Sequence, residues 1–417
     1  MKTSGVKSWI RLAAFILAAV VFAGSGPAMA EEDGEQSLDK SLEGIKFGVL
    51  AYLDYSEGQS PLPDGEEENY NLFSLTRGYL TVKKQMTGWL GMRLSMDIKH
   101  ETKDPGSKLQ GSYVVRMKYF YAELKPEDMG PFTGMKSEIG LGHIPWLDFE
   151  EHINPYRCQG TMAIERAHVT NSADLGASIR GNLGGSLEGA EEKTGAHHYN
   201  GRYGGWHIGV YNGGGYHSIE ENQNKVMEGR ISLRPLPDLV PGLKFSYFGA
   251  YGDGNVAGDE VLSVATGDTV ALDEAPDYEV HLGMVSFQHP WVILTGQYFQ
   301  TRGNQSGEWV DREGDALVTE GYSMFLNLTV PGTNMKGNLF GRYDWFDIDP
   351  KDEWGDETAF TTIIAGGAWE VYHGNMLLLV WESTDYEEDA NVKGKLPVPG
   401  LDLGDEEKIQ AVWQIKF

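Results

Sequence analysis

The sequence predicts an all-β chain, a transmembrane antiparallel β-barrel of about 16 strands. Three observations carry this reading. Apolar and polar residues alternate along the chain, tight turns alternate with long acidic connectors, and the chain ends on an alternating strand closed by Phe417.

The first thirty residues stand apart from that pattern. Lys2, Lys7 and Arg11 form a basic start, and Leu12 to Phe22 is an apolar run too short for a stable membrane span. Ala28-Met29-Ala30 is a small-residue cleavage site before Glu31. Residues 1–30 are therefore expected to be a secretory signal peptide, 31–44 a short periplasmic N-terminal segment, and 45–417 the barrel. The residue immediately after the site is Glu31 and not a cysteine, which excludes a lipoprotein. After it the longest apolar stretch, Met376 to Trp381, has only strand length, which excludes a helical inner-membrane protein. The single cysteine, Cys158, excludes an intramolecular disulfide framework and a cysteine zinc site.

Composition agrees. The chain has 54 glycines, 20 tyrosines and 11 tryptophans. Its mean hydropathy is −0.37, as expected of walls that face lipid on one side and water on the other. The formal net charge is −27, and loss of the leader's Lys2, Lys7 and Arg11 takes it to −30. Such a chain is not built for nucleic acid or anionic surfaces.

Strands are expected near 45–55, 71–83, 89–99, 113–124, 136–142, 173–182, 204–212, 225–235, 242–251, 277–287, 290–301, 320–330, 335–345, 359–371, 374–384 and 406–417. Leu90, Met92, Leu94, Met96 and Ile98 alternate with Gly91, Arg93, Ser95, Asp97 and Lys99, so one face is dry and one is wet. A soluble sandwich would alternate too, but its strands would be shorter and its wet face poorer in glycine. Gln85 to Gly88, Gln288-His289, Pro331 to Asn334 and Tyr372-His373 read as tight turns. Long acidic loops, 56–70, 252–276, 302–319 and 385–405, lie between them. Connector 183–203 is long where a short one is expected, which leaves the strand count open by two. Trp89, Trp206 and Trp291 each open a strand after a short-side connector, as an interfacial aromatic girdle would.

The last strand alternates Ile409, Ala411, Trp413, Ile415 and Phe417 with polar residues. It resembles the C-terminal signal of bacterial outer-membrane proteins, which implies the barrel-assembly machinery as a partner. Several segments resemble the phosphate-selective porin O and P family. They are Leu141-Gly142-His143-Ile144-Pro145-Trp146-Leu147 with Glu150-Glu151 and Ile164-Glu165-Arg166; Ser172-Ala173-Asp174-Leu175-Gly176; Gly205-Trp206-His207-Ile208-Gly209-Val210-Tyr211-Asn212-Gly213; Gly229 to Pro235; and Gly341-Arg342-Tyr343-Asp344-Trp345-Phe346-Asp347. The resemblance implies a sixteen-stranded, often trimeric porin in the outer membrane of a Gram-negative bacterium. That barrel would pass small hydrophilic solutes, contact lipid and lipopolysaccharide, and need no cofactor. The family's phosphate channels use an arginine ladder and a lysine cluster. Here Arg77, Arg93, Arg116, Lys118, Arg180, Arg230, Arg234 and Arg342 fall on polar strand faces, but spread around the wall and mixed with Asp97, Asp344 and Glu370.

The resemblance also implies that the third outer loop, 143–172, folds inward and narrows the channel. Its ionisable residues are His143, Asp148, Glu150, Glu151, His152, Arg157, Glu165, Arg166 and His168. A constriction needs opposed fixed charges, and Asp148, Glu150 and Glu151 facing Arg77, Arg93 and Arg116 would supply them. Glu165 and Arg166 have an alternative role, tying the loop to the wall through buried pairs. Glu66-Glu67-Glu68, Glu220-Glu221 and Glu387-Glu388-Asp389 make the outer loops acidic, which favours cations within about 8 Å at physiological salt. Three other readings remain open: an anion channel lined by the wall arginines, a scaffold barrel around a partner such as a multihaem cytochrome, and an enzyme barrel. The last would need a serine, histidine and acid on one face. No elbow motif accompanies the histidines His197, His198, His207, His217 and His281, and no P-loop, HExxH or spaced Cys/His cluster occurs.

Overall fold

In this computed structural model, residues 43–61, 67–101, 108–263, 268–331, 336–352, 357–387 and 405–417 are described. The expected signal peptide, nearly all of segment 31–44 and parts of the acidic clusters at 66–68 and 387–389 lie outside them. Period-2 alternation does what the sequence requires of it. Sixteen strands close into one antiparallel barrel in sequence order. They are β1 (Ile45–Pro61), β2 (Glu67–Gln85), β3 (Leu90–His100), β4 (Tyr113–Leu124), β5 (Phe132–His143), β6 (Ala173–Leu183), β7 (Gly204–Tyr211), β8 (Val226–Leu233) and β9 (Leu243–Asp253). After the outer hairpin β10 (Glu260–Leu262) and β11 (Thr269–Ala271), the wall continues with β12 (Asp277–His289), β13 (Val292–Arg302), β14 (Val318–Val330), β15 (Lys336–Asp347), β16 (Ala359–Tyr372), β17 (Asn375–Tyr386) and β18 (Glu406–Lys416).

An open sheet edge cannot face lipid, because its unpaired amides have no water to bond. Here β1 pairs with β18, from Leu50 opposite Lys416 to Gln59 opposite Glu407. Phe417 adds two further backbone bonds with Val49, of 3.0 and 3.1 Å. Most wall strands have eleven residues or more, enough to cross a hydrocarbon layer at a tilt. Outward side chains form the apolar band: Val115, Phe245, Val285, Leu294, Leu326, Leu377, Leu379 and Ile409 are all exposed. Trp89, Trp291, Tyr203 and Tyr372, also exposed, cluster at the short-connector end, where amphipathic rings belong in a membrane interface.

The inner face is polar over most strands but not all. On β12, Val280, Leu282 and Met284 point inward and are buried, as are Phe248 on β9 and Phe299 on β13. They form a core with Ile144, Trp146, Leu147, Phe149, Met162 and Ile164 of the β5–β6 connector. The connector is held to the wall by burial of large apolar side chains, each contributing about 1.5–3 kcal/mol.

The count of sixteen stands despite the long connector at 184–203. That segment does not add strands. It folds over the lumen end, with a short helix, α3 in chain order (Ala190–Thr194), between glycines in the left-handed region at 189 and 195. Two other short helices precede it in the β5–β6 connector, α1 (Leu147–Glu151) and α2 (Ala163–Arg166).

Candidate functional site: an internal connector facing a basic wall

The β5–β6 connector leaves β5 at His143 and packs against inward side chains on the far wall. The Tyr156 hydroxyl donates to Asn327 Oδ1 on β14 at 2.7 Å, and its ring stacks on Phe340 of β15 at 4.1 Å. Arg342 on β15 donates to the Thr161 carbonyl at 2.7 Å. Arg166 Nη1 donates to Glu382 Oε1 on β17 at 2.9 Å, Gln159 also donates to Glu382, and Lys408 Nζ lies 3.1 Å from Glu382 Oε1. Asn327, Phe340, Arg342 and Glu382 are buried on the inner face, and Lys408 is half-buried beside them.

The near wall is different in character. Asp97 on β3, fully buried, accepts from Arg77 Nη1 of β2 at 2.7 Å and from Arg116 Nε of β4 at 2.8 Å. Lys118 on β4 has no ion pair among the described residues. Its ammonium sits 4.9 Å from the Tyr79 ring, 5.7 Å from Tyr119 and 5.8 Å from Tyr216. Arg93 on β3 lies 4.5 Å over Tyr119 and bonds Ser95 at 3.0 Å and His143 Nε2 at 3.1 Å. This part of the wall therefore sets four cations, Arg77, Arg93, Arg116 and Lys118, about one carboxylate, Asp97, with Arg93, Arg116 and Lys118 lying on tyrosine rings.

The connector faces this wall with carboxylates. Burial pushes the Glu151 carboxyl up, against the pull of Arg157 beside it and of Lys118 on the wall. Arg157 Nε lies 3.0 Å from Glu151 and its Nη2 lies 3.7 Å from Glu165. Asp148 accepts from Arg180 Nη1 of β6 at 3.4 Å and from the Tyr199 hydroxyl. Burial would raise the Asp148 carboxyl, but His143, His152 and Arg180 outweigh it and hold the group well below the usual carboxylate range. His143 Nδ1 in turn is 2.7 Å from Glu138 of β5.

The residues singled out from sequence thus separate into two groups. Arg77, Arg93, Asp97, Arg116, Lys118, Asp148, Glu151, Arg157, Glu165 and Arg180 lie on the connector and on the β2–β6 wall that it faces. The rest make their contacts elsewhere. Glu150 differs from the expectation of a charge facing the wall arginines. It is buried and accepts from Trp146 Nε1 at 2.8 Å and from Gln297 Nε2 on β13 at 2.9 Å. It points the opposite way from Glu151 because adjacent residues on a helix diverge. Burial drives its carboxyl up to about 7. Arg166 is an anchor, the role its buried-pair alternative assigned it, while Glu165 pairs within the connector. Arg342 and Asp344 bond each other on β15 under the connector. Arg230 on β8 is buried, donating to the Pro145 carbonyl at 2.9 Å and stacking 4.1 Å over Phe149. The tyrosines Tyr79, Tyr119, Tyr121, Tyr199 and Tyr216 were missed. The Lys118-Tyr119-Phe120-Tyr121 run was a signal, because a bulge between Met117 and Tyr119 turns both Lys118 and Tyr119 inward.

The described residues thus form a closed sixteen-stranded antiparallel barrel with an apolar exterior and an inner face that is polar over most strands. Among solved structures, the chain is similar to an anion-selective porin from Comamonas acidovorans, at 12% identity over 89% of this chain and 100% of that one, with TM-score 0.55. It is similar to Salmonella typhi OmpF, solved in complex with daunomycin, at 10% identity over 89% and 97%, with TM-score 0.56. It is also similar to Pseudomonas putida OprB, at 10% identity over 91% and 96%, with TM-score 0.55. No protein-family model and no curated protein sequence matches the chain. At such identities the likeness is one of fold.

Proposed function

We propose that the protein is an outer-membrane porin of a Gram-negative bacterium, a water-filled channel for passive diffusion of small hydrophilic solutes and ions. The observation that carries this reading is the facing of opposite charges across the lumen. Arg77, Arg93, Arg116 and Lys118 stand on the wall, with Asp148, Glu151 and Glu165 on the connector, so a solute passing between them meets a fixed transverse field. The porin barrels to which the fold is similar support it. The β5–β6 connector crosses the lumen to bond β14, β15 and β17, which speaks against a scaffold sheathing a partner protein. The order of motifs along the chain supports kinship with the phosphate-selective porin O and P family, a homotrimer, contact with lipopolysaccharide, and assembly through the strand ending in Phe417.

Selectivity follows from charge balance. Asp97 neutralises part of Arg77 and Arg116, and the chain as a whole is acidic, so the channel is weakly cation-preferring or nearly non-selective. A second reading, an anion channel, is favoured by Arg93 and Lys118, neither of which has a carboxylate partner among the described residues. Planar-bilayer recording decides between them. The porin reading expects an ohmic conductance with a small reversal potential in a salt gradient. A strongly anion-selective reversal potential establishes the second reading. A folded barrel that inserts and carries no current refutes both.

A further inference from the structure

Burying a charge without a partner costs several kcal/mol, so buried cations are found with counter-charges. Besides the isolated Lys118, one cluster of three cations breaks that rule. Arg230 and Arg234, at the short-connector end of β8, and Lys244 on β9 are 3%, 1% and 2% exposed. None has a carboxylate within ion-pair distance among the described residues. Their partners are neutral: Arg230 donates to the Pro145 carbonyl at 2.9 Å and to Ser232 Oγ at 2.7 Å. Lys244 donates to Gln288 Oε1 at 3.1 Å and to the Tyr199 carbonyl at 3.4 Å. Asp148 on the nearby connector is already engaged by Arg180 and Tyr199.

The pattern of unused donors is specific. Arg234 spends Nη1 on the Gly201 carbonyl, but Nε and Nη2 are buried with no partner. Those two N–H groups form the side-on edge of the guanidinium, which matches two oxygens of one oxyanion. Leu233 pairs with Phe245, so Arg234 lies opposite Lys244 one step further along, and Lys244 is opposite Ser286 on β12. Ser286 is fully buried and its hydroxyl is also unpartnered. The cluster is roofed by the 184–203 connector through Tyr199 and Gly201, away from the gap between the β5–β6 connector and β2–β4.

We propose that Arg234, Lys244 and Ser286 form a buried binding site for one small tetrahedral oxyanion, of the size of sulfate or phosphate. Arg234 takes two of its oxygens on the Nε/Nη2 edge, while Lys244 and the Ser286 hydroxyl take the others. The anion supplies the missing counter-charge and pins the 184–203 connector to β8 and β9. Since Tyr199 of that connector also holds Asp148, the anion steadies the lumen side of the β5–β6 connector. This inference goes beyond diffusion through the channel and does not need the barrel to conduct.

The test uses the full barrel in detergent, dialysed free of oxyanions and titrated with sodium sulfate at constant ionic strength against sodium chloride. The expected result is a saturable rise in the unfolding temperature with sulfate and none with chloride. Arg234→Lys keeps the charge but loses the two-pronged edge, and is expected to weaken the apparent affinity at least tenfold. Crystals of the unaltered protein soaked in selenate provide a readout independent of any variant, with an anomalous peak expected beside Arg234 Nε and Nη2. Equal shifts with sulfate and chloride, a saturable shift unchanged in Arg234→Lys, or no selenate peak at this edge would each overturn the proposal.

Discussion

Glu382 is where the β5–β6 connector is fastened, and removing its carboxylate is the sharpest single perturbation of the lumen. The side chain is 4% exposed and holds two cations, Arg166 at 2.9 Å and Lys408 at 3.1 Å, with Gln159 as a third donor. Glu382→Ala strands the buried Arg166, whose Nε already lacks a partner. Breaking a buried pair by removing one member costs about 3–5 kcal/mol. If that cost falls on connector attachment, the detached population rises roughly a hundredfold to a few thousandfold, at about 1.4 kcal/mol per decade. The apolar core around Trp146 and Phe149 is untouched, so the barrel stays folded and only the Gln159–Arg166 stretch loosens. Single-channel recordings should show new flicker or larger conductance levels, and trypsin should cut at Arg157 or Arg166 faster than in the parent. A variant with an intact barrel, unchanged current noise and unchanged cleavage would refute the anchoring role.

Four further outcomes follow. Asp97→Asn leaves Arg77 and Arg116 without their shared carboxylate and adds one positive charge to the lumen wall, so the reversal potential in a salt gradient shifts toward anions. Glu150 titrates near 7 in place, against about 4.5 when released. The connector is therefore held most firmly below about pH 4.5 and progressively less as pH rises through 7, by about 3 kcal/mol in all. Tryptic cleavage of the connector should be faster at pH 8 than at pH 5, and Glu150→Gln should flatten that dependence. Gly204 has φ +115°, and a β-carbon there would meet the Ser232 carbonyl oxygen at 1.9 Å. Gly204→Ala should therefore lower the thermal unfolding midpoint, at a cost of about 1–3 kcal/mol. Phe417 is 77% exposed and bonds Val49 only through its backbone. Phe417→Ala should thus refold normally in detergent yet assemble poorly in cells, as measured by surface-exposed barrel per total protein.

The wall was legible because its period is short and each strand repeats it many times. All sixteen expected strands occur, and β4 occupies 113–124 as its alternation implied. The bounds differ mainly where strands continue past the membrane layer, as in β1 and β2, whose paired ends run to Pro61 and Glu67. The small outer hairpin β10–β11 fell within a stretch read as loop, since three residues per strand are too few to show a period. The interior was harder to read. Val280, Leu282 and Met284 point inward on β12 where a wet face was expected, because the connector supplies an apolar partner that no local pattern announces. Glu150 and Glu151 are indistinguishable in sequence, yet one is buried against Gln297 and the other faces Lys118. Orientation about a five-residue helix depends on what the connector meets on either wall, and for Glu150 that is Gln297, 147 positions away.

The central claim is that solutes pass between the β2–β4 wall and the β5–β6 connector, and thiol chemistry tests it directly. The chain's single cysteine, Cys158, is 4% exposed, so the unaltered channel should ignore a bulky water-soluble methanethiosulfonate. In Arg116→Cys, at a wall position whose side chain is 22% exposed, the same reagent should lower single-channel conductance in discrete steps. Complete modification of that cysteine with conductance unchanged would contradict the account.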